Sequence, residues 1–170
     1  MHPGLTEIVS LALEQDFDVV IFTNGLWPET VQRFFDDKRD ERVTFIVNVN
    51  EPSSQKSSEA KKLKTCLKIA GKRAMPGFNI YHEDFNLMFI QEYVEEFGMT
   101  RRIRLGLSVP ITGANNIYVE DKSFKTIGKR LVEQLKILEK ADILGTFDCG
   151  FFYCMFDEND LGSLAITTHE

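Results

Sequence analysis

The 170-residue chain is 43% apolar, enough for the core of one domain rather than a disordered tail. Its 20 Lys and Arg stand against 26 Asp and Glu, a net charge of −6, and the two signs are interleaved, which argues against a surface built on nucleic-acid phosphates. No run reaches the roughly 18 apolar residues of a membrane span, residues 1–10 lack the features of a signal peptide, and an odd three cysteines suit a reducing compartment, so a cytoplasmic protein without membrane or nucleic-acid partners is expected.

Pro3 and Gly4 lead directly into an apolar-periodic helix, with Leu5, Ile8, Val9 and Ala12 on one face and no strand before it. Val19, Val20, Ile21 and Phe22 follow in succession. Four apolar residues without alternation predict a parallel strand over Asp18 to Thr23, covered on both faces and broken by Asn24-Gly25. Pro28 opens a short helix carrying Val31, Phe34 and Phe35, and Val43 to Asn50 is the next β-branched run. The turn Glu51 to Ser54 precedes a helix with Ala60, Leu63, Leu67 and Ala70 on one side. Cys66 beside that stripe is expected to be a small buried hydrophobe, and the lysines at 56, 61, 62, 64, 68 and 72 a solvated face.

Pro76-Gly77 introduces a third strand over Phe78 to Tyr81. Phe85, Phe89, Tyr93 and Phe97 recur at helical spacing as a core stripe that Gly98 ends. Arg102 to Val109 is the fourth strand, and residues 110–116 form the loop after it. The longest helix carries Phe124, Ile127, Leu131, Leu135 and Leu138, and Asp142 to Asp148 resumes extended chain. The repeat of strand and helix predicts an α/β fold, a partial (β/α) barrel with parallel strands, helices outside and its first strand missing. A doubly wound open sheet is the structural rival. Residues 1–147 are assigned to the barrel and 148–170 to the start of a cysteine-containing C-terminal extension.

In such folds ligands lie at the C-terminal ends of the strands, and those ends are polar here: Thr23-Asn24, Asn48 and Asn50, His82-Glu83, and Ser108. Alternation sends Asn48 and Asn50 to the same side of their strand, a costly pair of amides unless ligand or water satisfies them. Each of these residues also suits a turn or a strand end. Gly113-Ala114-Asn115-Asn116 offers little bulk against a flat ligand. His82, Glu83 and Asp84 form an acidic cluster with one imidazole, but His2 and His169 are terminal, and N-capping of the following helix by Asp84 is the expected use. No G-x-S-x-G, Walker or G-x-G-x-x-G motif is present. Cys149 and Cys154 flank an aromatic, turn-prone stretch; two buried thiols and two soft-metal ligands are both open to them.

Residues 2–12, His-Pro-Gly-Leu-Thr-Glu-Ile-Val-Ser-Leu-Ala, followed by Val19 to Gly25 ending in Thr-Asn-Gly, resemble radical S-adenosylmethionine proteins just after their cluster loop. There a GEPTLHP-type motif precedes a helix and a strand ending in TNG. The resemblance continues as successive βα units, and Asp148 to Phe156 resembles the lead into the cysteine-rich extension that some members carry. It implies a [4Fe–4S] cluster that cleaves S-adenosylmethionine reductively to a 5′-deoxyadenosyl radical, acting on a peptide or small metabolite. By position, Thr23, Asn24, Asn48, Asn50, Ser108 and Val109 correspond to residues around the S-adenosylmethionine, and Cys149 and Cys154 to ligands of an auxiliary cluster.

The CxxxCxxC motif and the glycines of GGE are not in the sequence, and Cys66, Cys149 and Cys154 cannot replace that motif by spacing. An internal fragment of such an enzyme, inactive by itself and retaining no cofactor, is therefore expected. A non-cluster α/β metabolite-binding domain or enzyme is the alternative, and a noncatalytic domain that pairs through an exposed sheet edge, with itself or a protein partner, is a third.

Overall fold

Five strands alternate with helices along the chain in the computed structural model, which describes residues 2–148 and 150–161. The elements run α1 (Leu5–Glu14), β1 (Val19–Thr23), α2 (Glu29–Asp37), β2 (Val43–Asn48), α3 (Ser57–Ala70), β3 (Ala74–Ile80), α4 (Phe89–Phe97), β4 (Arg102–Leu107), α5 (Phe124–Lys140), β5 (Leu144–Phe147) and the short α6 (Glu158–Leu161). The strands form one parallel sheet in the order β1-β2-β3-β4-β5, so space follows sequence without a reversal. That order is the one a (β/α) barrel uses, and it lacks the switch point of a doubly wound sheet. The sheet is not closed: among the described residues β1 pairs only with β2, and β5 only with β4.

The chain forms two compact units, Met1–Pro76 with Tyr93–Thr100, and Gly77–Glu92 with Arg101–Glu170. In the first, Ile21, Val43, Phe45 and Val47 are buried, whereas the alternating Val20 and Phe22 are 56% and 64% exposed. This corrects the expectation that β1 is covered on both faces. An unbroken apolar run specifies no face by itself, and only the side bearing Ile21 is buried. Trp27, Phe35 and Phe45 pack with ring centroids 5.0–5.2 Å apart. The buried Arg73 guanidinium donates to the carbonyls of Phe35, Asp40 and Ile69, each at 3.2 Å, and lies 5.3 Å from the Phe45 ring centroid. In α1 only Val9 is buried, and Ile8, expected on the same inner face, is exposed.

In the second unit Phe78 meets Phe85 and Phe89, and Ile103 and Leu105 are buried. The space at Gly145 is filled by Leu135 and Leu105, which places α5 over that face of β4 and β5. Gln134, buried on α5, accepts the Leu87 N–H at 2.6 Å and donates to the Phe85 carbonyl at 2.9 Å. Arg130 donates to the same carbonyl and to that of Asp84. These bonds hold residues 84–87 outside any helix. The aromatic stripe is buried as expected, but α4 starts at Phe89 instead of Phe85, so Asp84 does not cap it. β3 also starts earlier than expected, at Ala74, and runs through Pro76 and Gly77.

No helix among the described residues is long and apolar enough to cross a membrane.

Candidate functional site

Parallel strands deliver their C-terminal ends to one edge, where the chain turns back into a helix and side chains are freed from ladder pairing. In the first unit that edge carries Thr23, Asn24, Asn48 and Asn50. Thr23 Oγ1 accepts the Trp27 indole N–H at 2.9 Å and the Gly25 N–H at 3.1 Å. Both lone pairs are thus engaged in fixing the turn and orienting the central tryptophan. Asn24 Oδ1 accepts the Leu26 N–H at 3.1 Å, closing an Asx-turn.

β2 ends at Asn48, so Asn50 lies beyond the strand, exposed, with its carbonyl accepting from Gln55 Nε2 at 2.6 Å. Burial alternates through this stretch: Val47 and Val49 are buried, Asn48 is half-buried, and Asn50 is exposed. Asn48 Oδ1 is shielded from solvent and has no hydrogen-bond partner among the described residues. A buried amide oxygen left unpaired costs about 1–3 kcal/mol, so it is a place where an N–H donor from a ligand, or a water, would be gained.

In the second unit Ser108 Oγ donates to the Ile117 carbonyl at 2.6 Å, and the Val109 carbonyl accepts from Asn116 Nδ2 at 2.9 Å. These bonds pin the loop after β4 to the strand end, with Asn116 Oδ1 also accepting the Ile111 N–H. His82 Nδ1 lies 2.6 Å from Asp84 Oδ1, and Glu83 accepts from Ser123 Oγ at 2.5 Å.

Sequence reasoning missed a polar row on the strand face opposite α5. Arg104 forms an ion pair with Asp148 and reaches Asn79 Oδ1 at 3.4 Å, while Asn79 Nδ2 approaches the Tyr81 hydroxyl at 3.4 Å. Gly106 makes room for it, because a Cβ there would stand 2.5 Å from Asn79 Oδ1. Arg102, Arg104, Gly106 and Ser108 alternate with Ile103, Leu105 and Leu107, and that period of two was the legible signal.

Cys66 is ill suited to ligate a [4Fe–4S] cluster. Cys66 is fully buried on α3, and burial pushes its thiol far above the ordinary range, against the thiolate that ligation needs. Cys154 is exposed, and Cys149 lies outside the described residues, so the auxiliary-cluster pair has no described geometry. No group of three or more His, Cys, Asp or Glu among the described residues is arranged to hold a metal ion. In comparisons with known proteins, no family model, no curated protein and no solved structure matches the chain.

Proposed function

We propose that this chain supplies later βα units of a radical S-adenosylmethionine barrel, its polar strand ends turned toward cofactor and substrate. The observation that carries the cofactor-binding part is Asn48 Oδ1 at the end of β2, shielded and without a hydrogen-bond partner among the described residues. An adenine amino group or a methionine ammonium would give it the donor it lacks. The resemblance of residues 2–25 to the segment after the family's cluster loop supports the same reading. The cluster would have to be held by a CxxxCxxC segment outside these residues, since the cysteines here do not fit one. The role of this chain is then to bind and orient. Asn48 would engage the cofactor, Thr23 and Asn24 would hold the turn beside it, and Ser108 and Val109 would hold the loop after β4. Cys149 and Cys154 remain proposed ligands of an auxiliary cluster in the parent enzyme.

The test has two arms. S-Adenosylmethionine binding, measured by equilibrium dialysis on a parent polypeptide containing these residues, should weaken about tenfold in Asn48→Ala, as loss of one buried hydrogen bond predicts. Unchanged affinity would remove Asn48 from the site. Anaerobic iron–sulfur reconstitution of that parent should give cluster absorption and 5′-deoxyadenosine from S-adenosylmethionine, and failure of both would end the radical reading.

A second reading has the same strand ends holding an ordinary metabolite without any cluster, and the buried Cys66 thiol, unsuited to ligation, favours it. S-Adenosylmethionine binding without cluster formation in the parent would support it.

A further inference from the structure

Beyond the sheet face, the loop between β4 and α5 encloses a groove of about 570 Å³, bounded by Val109, Pro110, Tyr118, Phe124 and Phe152, with Glu120 and Asp121 at its rim. Its size falls within the ~300–1,000 Å³ of sites that enclose small ligands. Phe124 and Phe152 stack with centroids 5.2 Å apart and planes 22° from parallel, and Tyr118 and Phe152 are 46% and 47% exposed. A smaller groove of about 270 Å³ shares Tyr118, Val119 and Glu120 and adds Glu83 and Lys122. Three carboxylates therefore face one lysine across the two grooves.

We propose that the larger groove binds an arginine side chain of a peptide. A guanidinium is planar, stacks on aromatic faces and pairs with a carboxylate through two parallel N–H donors. The aromatic pair offers the stacking surface, Val109 and Pro110 a wall for the aliphatic stem, and Glu120 and Asp121 the counter-charge. Glu120 is met at 2.5 Å by Lys122 Nζ, but both side chains are more than half exposed. Such a pair contributes little, so a bidentate guanidinium can displace the lysine. A neutral aromatic side chain would use the rings alone and bring no charge to the carboxylates, whose contacts would stay with Lys122. This site is independent of the cofactor reading, because it requires neither S-adenosylmethionine nor a cluster.

The test is titration of the ¹⁵N-labelled 170-residue chain with N-acetyl-glycyl-arginyl-glycinamide, followed by amide chemical shifts. Saturable shifts at residues 118–124 and at Phe152 are expected. Replacing the arginine by citrulline, which keeps the shape and removes the charge, should weaken binding about tenfold, as should Glu120→Gln with Asp121→Asn. The single variants Glu120→Gln and Asp121→Asn, each checked for native peak dispersion, should give intermediate losses. Absence of saturable shifts in the native chain, equal binding of the citrulline peptide, unchanged binding by folded variants, or shifts confined to other surfaces would each overturn the proposal.

Discussion

Arg73 gives its guanidinium to three backbone carbonyls, from the interior of α2, the turn before β2 and the last turn of α3. Removing it takes a donor from all three at once, and among the described residues only the Asp40 carbonyl keeps another, the Val43 N–H, so Arg73→Met should lower unfolding free energy by about 3 kcal/mol in urea denaturation. Arg73→Lys should recover only part, since an ammonium cannot span the same fork. Asp40 makes a different kind of prediction. Its carboxylate accepts hydrogen bonds from the Arg42 side chain and backbone, which pull its pKa down to about 2. Because the folded value lies below the unfolded one, this contribution is complete above about pH 4 and is lost as pH falls toward 2. Urea midpoints measured between those limits should fall less steeply in Asp40→Asn than in the native chain. The roles of such residues were only partly legible. Thr23 and Asn24 stood out as polar strand ends, but their turn bonds depend on where Trp27 and Leu26 come to lie, which no spacing rule states.

Among the elements, α5 was the most legible and also carries the bonds that overrode a neighbouring expectation. Its apolar repeat fixed its buried face, and Ile127, Leu131, Leu135 and Leu138 are all buried. Gln134, which breaks the apolar pattern, clamps residues 85–87 and postpones α4 to Phe89. Gln134→Leu should therefore cost about 2 kcal/mol, with faster amide exchange at Leu87 as the local sign. On another side, Gly128 lets the short turn Tyr153–Met155 approach closely, since a Cβ there would lie 1.9 Å from the Met155 carbonyl oxygen. Gly128→Ala should thus destabilise the fold by about 1–3 kcal/mol despite the better helix propensity of alanine. Thermal melts of the variant would check the sign. The strand faces were less legible than the helices. A continuous apolar run such as residues 19–22 carries no period, whereas the alternation in Arg102 to Ser108 marks both faces.

At the scale of the whole sheet, βα alternation in the sequence indicated parallel strands, and the open or closed state depended on strand order, which letters alone do not contain. Among the described residues, the order β1 to β5 has both end strands paired on one side only. We propose that β1, with Val20 and Phe22 exposed, pairs with a strand of a second copy of the chain. Sedimentation velocity should show concentration-dependent self-association of the 170-residue chain. Val20→Lys with Phe22→Lys should abolish it while leaving circular dichroism unchanged; a strictly monomeric native chain would refute the pairing.

The unreversed order of the strands also bears on synthesis. Each new strand docks beside the one the ribosome released just before it, so the sheet can lengthen in step with translation and no early strand must hold a gap open for a later arrival. Loop closure is confined to one crossover at a time, which keeps the entropic toll of each addition small.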